Sequence, residues 1–407
     1  YIPVGMPLMD EYGGHRPGDN LFGNTLVALD VRTGRRRWHF QMVHHDIWDY
    51  DTPMAPNLLD VTVKGQRRKI VAQSTKQGWL YVFDRVTGEP IWPIVETPVL
   101  QTEVAGEKTA PTQPIPTKPA PYAQQGLVED DLIDYTPEIK AAALKLAKAC
   151  RMGPYFIPAS PGDGTAPSGF TCSWYAPGAS GGVNIDGGAA VDPETGQLYV
   201  ASQTGLTTIQ VVKDPCSEFR YSSPHDSCGQ LGALPPPPGY VKPQSGRGGG
   251  SGRTAAATTI GGVSILKPKP LGGVTAYDLN TGDKAWWIPN GGELLPVTSP
   301  DPLFKDVKLP PAAPTRGHAQ VITTKSLVIY GTGRSGGPPN APPRIYAVDK
   351  ASGKQVGAVS IPSRTSAVPM TFMHKGRQYL VFATGAGDNT SLVALTLPKG
   401  AGTSSSR

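Results

Sequence analysis

One phrase recurs along the chain and limits what it can fold into. Val27-Ala28-Leu29-Asp30-Val31-Arg32-Thr33-Gly34 is followed by Trp38, and Tyr81-Val82-Phe83-Asp84-Arg85-Val86-Thr87-Gly88 by Trp92. Thr275-Ala276-Tyr277-Asp278-Leu279-Asn280-Thr281-Gly282 is followed by Trp286, and in all three the tryptophan stands eight positions after the aspartate. Tyr346 to Gly353 is a weaker copy with Gly357 in the tryptophan's place. Asp192-Pro193-Glu194-Thr195-Gly196 is a related turn before the strand-like Gln197-Leu198-Tyr199-Val200-Ala201.

Each phrase has a local logic. Its apolar alternation suits a strand, its aspartate can accept turn N–H groups, and its glycine takes positive φ. The tryptophan is large enough to pack across onto a neighbouring unit. Repeated small antiparallel sheets of this kind predict an all-β protein, a β-propeller. Composition agrees. With 49 glycines, 43 prolines and only 17% charged residues among 407, the chain is turn-dense and unlike a coiled coil or long helix. It is long enough to bury a large core.

Other classes drop out. No stretch approaches ~18 consecutive apolar residues, the length a membrane helix needs. Tyr1 to Gly5 carries neither a charged nor an apolar leader region, so no signal peptide is read in this chain. These residues resemble the middle of a strand, as if the chain began inside a fold. The net charge of +6 is spread out, and the basic runs Arg35-Arg36-Arg37 and Arg67-Arg68-Lys69 sit beside turns. They read as solvated hairpin ends, not as a nucleic-acid surface. Cys150, Cys172, Cys216 and Cys228 form no CxxC pair; their even number suits one or two disulfides and an oxidising compartment. Cys216 and Cys228, which flank a polar loop, are the first candidate pair.

Long insertions separate the repeats. Residues 101–125, rich in proline, threonine and glutamine, are expected to run extended over the surface. Thr136-Pro137-Glu138 opens the one convincing helix, whose apolar face is Ile139, Ala143, Leu146, Ala147 and Cys150 and whose expected stop is Gly153. Residues 231–253, with Pro235 to Pro238 and Gly248 to Gly250, read as a surface loop. The domain is drawn as 1–400, with 401–407 a disordered serine-rich tail.

The densest set of reactive side chains is His44-His45-Asp46-Ile47-Trp48-Asp49-Tyr50-Asp51. It suits a metal site, an acid/base site, or a strand end with turn-capping aspartates. In an extended stretch Asp49 and Asp51 share one side and Trp48 and Tyr50 the other. Ser74-Thr75-Lys76-Gln77-Gly78 then places a lysine between a buried strand and a glycine turn.

Arg16 to Asn20, Val27 to Phe40, His44 to Asp51 and Lys76 to Arg85 together resemble the PQQ-dependent dehydrogenases, the quinoprotein alcohol and sugar dehydrogenases with an eight-bladed propeller. The His-His-Asp-x-Trp-Asp-x-Asp form resembles the glucose and quinate branch. Similarity continues through the helix, Pro177-Gly178 to Asp192, and Val368 to Thr371 with Gln378-Tyr379. The resemblance implies that Asp49 is the general base and that Lys76 hydrogen-bonds the reactive oxygens of pyrroloquinoline quinone. It implies Asp49 and Asp51 as metal ligands, for Ca2+ by default or a lanthanide, and Ser202 at a cofactor-binding position. It further implies oxidation of a sugar, polyol or other alcohol in the periplasm, with electrons passed to a quinone or cytochrome.

Some positions depart from that family. Met6 stands where an asparagine or threonine near the metal is usual, and Ile185 replaces a tryptophan within Asn184-Ile185-Asp186-Gly187-Gly188. No segment matches the family's first blades, so the expectation is a partial propeller of about five blades. Tyr1 to Gly5 would then form an open edge prone to self-association. Two alternatives stand beside the enzyme. One is a non-enzymatic scaffold built on the same repeat, which has no use for the 44–51 cluster with Lys76. The other is a degenerate relative that has lost the cofactor, for which Met6 and Ser202 are the signs.

Overall fold

The computed structural model describes residues 1–397 except 179–180, 184–187, 204, 217–218, 223–234, 236–237, 240–256, 269–271, 293, 313–318 and 334–341. Strands β1 (Ile2–Val4), β2 (Thr25–Leu29) and β3 (Arg36–Gln41) form one antiparallel sheet, with β1 outermost. β4 (Asn57–Val63), β5 (Gln66–Ser74) and β6 (Leu80–Asp84) form the next, and β7 (Ile94–Pro98) with β8 (Thr112–Pro116) makes a ribbon. Helix α1 (Pro137–Ala147) follows.

Then come β9 (Ser160–Pro161), β10 (Ser173–Tyr175), β11 (Gly188–Asp192), β12 (Gln197–Ser202), β13 (Thr207–Lys213) and β14 (Tyr221–Ser222). β15 (Thr259–Ile260) and β16 (Val263–Ser264) form a short hairpin before β17 (Gly273–Asp278) and β18 (Asp283–Pro289). β11, β12, β17 and β18 make one antiparallel sheet, while β9, β10, β13 and β14 make a smaller one. The last two sheets are β19 (Gln320–Thr323), β20 (Leu327–Gly331), β21 (Arg344–Asp349) and β22 (Gln355–Ser360), then β23 (Met370–His374), β24 (Arg377–Thr384) and β25 (Ser391–Thr396).

Successive sheets bury their faces against each other, as in a β-propeller. Leu26 and Trp38 of the first sheet pack with Val71, Tyr81 and Phe83 of the second. Leu59, Ile70 and Val82 pack with Leu198, Val200 and Tyr277 of the third. Tyr199 and Val274 meet Val321, Val328 and Tyr330 of the fourth, whose Ile345 meets Phe382 of the fifth. A fully buried side chain of this size contributes about 1.5–3 kcal/mol relative to exposure.

The repeated phrase does what its residues predict. Asp84 accepts the N–H groups of Val86 (2.9 Å) and Thr87 (3.1 Å), and Gly88 N–H closes the turn on Asp84 O at 2.8 Å. Each tryptophan then lies on the turn glycine of the following repeat: Trp38 on Gly88, Trp92 on Gly282, and Trp286 on Gly353. A Cβ at any of these glycines would stand 2.7–2.8 Å from the indole. The spacing of eight residues therefore stitches one sheet to the next.

Two expectations are corrected. α1 keeps its predicted start, with Thr136 Oγ1 accepting from Ile139 N at 3.2 Å, but ends at Ala147, well before Gly153. The Trp174 indole donates to Ala147 O at 2.6 Å, and Cys150 is drawn away into a disulfide with Cys172. That bond closes a 22-residue separation, worth about 3 kcal/mol through the unfolded chain. Cys216 is also disulfide-bonded, and Cys228 lies outside the described residues. The 101–125 segment is not a surface strap: Gln113, Tyr122 and Ala123 are buried, and Gln113 brackets His44 through bonds of 2.9 and 2.7 Å to its N–H and C=O. Most of the 231–253 loop and the tail from 398 lie outside the described residues, as do Asn184 to Gly187.

Candidate active site

Lys76 follows β5 in a tight turn braced by the segment around Tyr122. Tyr122, from the inserted segment, donates its hydroxyl to Thr75 O and accepts from Thr75 N, both at 2.6 Å. Gly78 has φ of +85°, and a Cβ there would meet Ala123 and Gln125 at 2.8 Å. Gly182 passes so close that a Cβ would stand 2.2 Å from Lys76 O. The turn is fixed, and the lysine side chain, only 5% exposed, leaves it in one direction.

It meets two carboxylates. Lys76 Nζ donates to Asp49 Oδ1 at 2.6 Å and to Asp51 Oδ2 at 3.1 Å, although 27 and 25 residues separate them in sequence. Asp51 Oδ1 also accepts Met6 N–H at 2.9 Å, so Met6 contributes backbone here. Gly5 gives that carboxylate its room, since a Cβ would lie 2.8 Å from Asp51 Oδ1.

The 44–51 stretch is not extended throughout: His45 and Asp49 take left-handed backbone, with φ of 46° and 54°. The predicted division of sides nonetheless holds. Asp49 and Asp51 converge on Lys76, while Trp48 and Tyr50 enter a core with Phe156 and Tyr175. Asp46 produces the turn. Wholly buried, it accepts Trp48 N–H at 2.7 Å with one oxygen, and Tyr50 N–H at 2.8 Å and Asn24 Nδ2 at 2.7 Å with the other. His45 pairs with buried Glu107 at 2.8 Å.

Burial sets the electrostatics. It pushes the Asp49 carboxyl above the ordinary range, to about 8, with Asp10 and Asp51 adding repulsion against the pull of Lys76. For Asp51 burial works the same way but is outweighed by Lys76 and Met6 N–H, and its carboxyl stays below the usual value. For Lys76 burial opposes the charge, and the two aspartates overcome it and hold the ammonium protonated. The result is a carboxyl that holds its proton more tightly than usual, a fixed cation and an anionic carboxylate at one point.

The whole arrangement lies inside a matched family. Residues 1–380 match the PQQ family described as glucose/ethanol/alcohol dehydrogenase, beta-propeller domain. The chain belongs to the PQQ dehydrogenase family. Among curated relatives, the quinate/shikimate dehydrogenase (quinone) of Acinetobacter baylyi is 28% identical over 394 residues, covering 95% of this chain and 45% of that protein. The glycerol dehydrogenase large subunit of Gluconobacter oxydans is 28% identical over 408 residues, 95% of this chain and 50% of its own length. The chain thus spans about half the length of these relatives. The solved quinohemoprotein alcohol dehydrogenase of Pseudomonas putida HK5 shares its fold, with a TM-score of 0.50 and 21% identity over 95% of this chain and 42% of that one.

The side chains fit part of what a PQQ enzyme must hold. Lys76 offers an ammonium to quinone oxygens, and Asp49 with Asp51 offers hard oxygen donors. Among the described residues no group of three or more acidic, histidine or cysteine side chains converges as a metal cage. A calcium ion takes six to eight oxygens, more than these two carboxylates offer. Ser202 is wholly buried, and its hydroxyl donates at 3.2 Å to the backbone oxygen of Tyr122, the residue that braces the Lys76 turn. Sequence reasoning missed Tyr122, Asn24, Glu107 and Asp10. Each acts from a distant segment and carries no local signature.

Proposed function

We propose that this chain is the base-bearing part of a PQQ-dependent dehydrogenase that oxidises a sugar, polyol or other alcohol. The observation that carries the reading is the 2.6 Å contact between Lys76 Nζ and Asp49, inside a chain that matches the family over residues 1–380. When bound, PQQ would supply the two-electron acceptor for the hydride that leaves the carbinol carbon. Asp49 takes the hydroxyl proton, which makes the carbon a better hydride donor. Lys76 supplies a positive charge where negative charge grows on the cofactor's oxygens. Asp49 and Asp51 would supply carboxylate oxygens to a Ca2+ ion or a lanthanide.

The quinate and glycerol dehydrogenases among the relatives favour a polyhydroxylated substrate, and the quinone in the first one's name favours a quinone acceptor over a cytochrome. The Cys150–Cys172 disulfide supports an oxidising compartment such as the periplasm. The test is titration with PQQ and calcium, followed by turnover of quinate, glycerol and glucose with an artificial acceptor. Saturable binding weakened at least tenfold in Lys76→Ala is the expected result; no PQQ binding by the parent protein overturns the reading.

A further inference from the structure

The peptide groups of Trp48 and Tyr50, on either side of Asp49, are held by hydrogen bonds. Trp48 N–H and Tyr50 N–H both donate to the Asp46 carboxylate, at 2.7 and 2.8 Å. Trp48 O accepts from the Tyr175 hydroxyl, and Tyr50 O accepts from Asn24 Nδ2 at 2.9 Å. The two rings are pinned as well, Trp48 Nε1 on Ile157 O and Tyr50 hydroxyl on Pro177 O, each at 2.9 Å. Between these anchors the backbone must turn left-handed, and Asp49 does so at φ of 54°. For a non-glycine residue that conformation persists where its surroundings over-determine it.

The residue types at 24 and 46 match their tasks. Asp46 faces three donors, Trp48 N–H, Tyr50 N–H and Asn24 Nδ2, and an ionised carboxylate is the one short side chain that only accepts. Asn24 faces two acceptors, Asp46 Oδ2 and Tyr50 O, and meets both with its amide nitrogen. Its Oδ1 is left buried without a hydrogen-bond partner, a cost that this orientation imposes. Asn24 itself has φ of 48°, a region asparagine tolerates better than most residues.

We infer that Asp46 and Asn24 are positioning residues for the base: they clamp the backbone on both sides of Asp49 and aim its carboxylate at Lys76. Neither touches Lys76 nor the carboxylate of Asp49 in any contact described above; they act through the chain between them. The inference rests on the reading of Asp49 as base, and the experiment separates the two. Asp46→Asn sets an amide N–H₂ against donors. Asn24→Gly keeps the left-handed backbone available and deletes only two bonds, so it serves if Asp46→Asn does not fold.

Crystals of either variant should show Asp49 out of its left-handed turn and beyond hydrogen-bond reach of Lys76 Nζ. In the PQQ-loaded protein, kcat should fall by roughly 10–100-fold, the scale set by a misplaced catalytic group, while KM and PQQ affinity stay within about twofold. A role confined to stability would lower the melting temperature and leave kcat per folded molecule unchanged. An unchanged Asp49–Lys76 contact in the variant crystals overturns the inference whatever the turnover. Full activity in the variants beside an inactive Asp49→Asn overturns it alone, whereas full activity in Asp49→Asn removes the base reading and leaves the crystal distance to judge the clamp.

Discussion

The indole of Trp92 lies flat against Gly282, so close that a Cβ there would stand 2.8 Å from two of its ring atoms. One repeat thereby reads the backbone of the next. Gly282 meets two demands at once, a left-handed φ of +78° and an absent side chain.

Gly282→Ala should therefore cost about 2–5 kcal/mol, from ~1–2 for the left-handed backbone and ~1–3 for overpacking. Gly376 has nearly the same φ, +74°, with nothing within 4 Å of a Cβ, and Gly376→Ala should show the backbone cost alone. Urea denaturation of both variants checks this. Equal losses would mean that the tryptophan contact carries no weight.

The phrase around Gly282 was legible because its logic is local: an aspartate caps its own turn, a glycine closes it, and a fixed offset places the ring. Asp49 and Lys76 were legible only as family positions, since nothing in either segment shows that they meet. Tyr122, which bonds Thr75 from 47 residues away, was invisible for the same reason. The 101–125 segment misled because proline and glutamine suggest solvent. Here Gln113 substitutes for a neighbouring strand by satisfying both backbone groups of His44.

Glu107 should make stability depend on pH. Burial opposes its charge, but hydrogen bonds from His45 and from the N–H groups of Gly13 and Lys108 hold its carboxyl below the usual glutamate value. A depressed carboxyl contributes stability above its unfolded value and loses it as pH falls through the folded one. The melting temperature of the parent should thus drop faster below about pH 4.5 than that of Glu107→Gln. Parallel curves from pH 6 to pH 3 would contradict the pairing.

Lys76→Met leaves two carboxylates facing each other without their cation. Loss of one partner from a buried pair costs about 3–5 kcal/mol, and the partial exposure of Asp49 and Asp51 puts this case at the lower end. Calcium alone should restore part of the lost melting temperature in Lys76→Met and do less for the parent. No calcium effect in the variant would deny the carboxylates a cation-holding role.

Asp51→Ala should weaken activation by a lanthanide more than activation by calcium, because a trivalent ion loses more attraction with each carboxylate removed. Titrating the variant with lanthanum and with calcium measures the difference. Equal loss with both ions removes any lanthanide preference, and no loss makes Asp51 a turn residue.

Turnover of Asp49→Asn bears most directly on the account. The amide keeps the size of the side chain and a hydrogen bond from Lys76 but cannot take the alcohol proton. In the PQQ- and calcium-loaded protein kcat should fall by ~10²–10⁴-fold, the scale of general-base catalysis, with PQQ still bound and the melting temperature close to the parent's. Parent-like kcat in Asp49→Asn would contradict the assignment of the base.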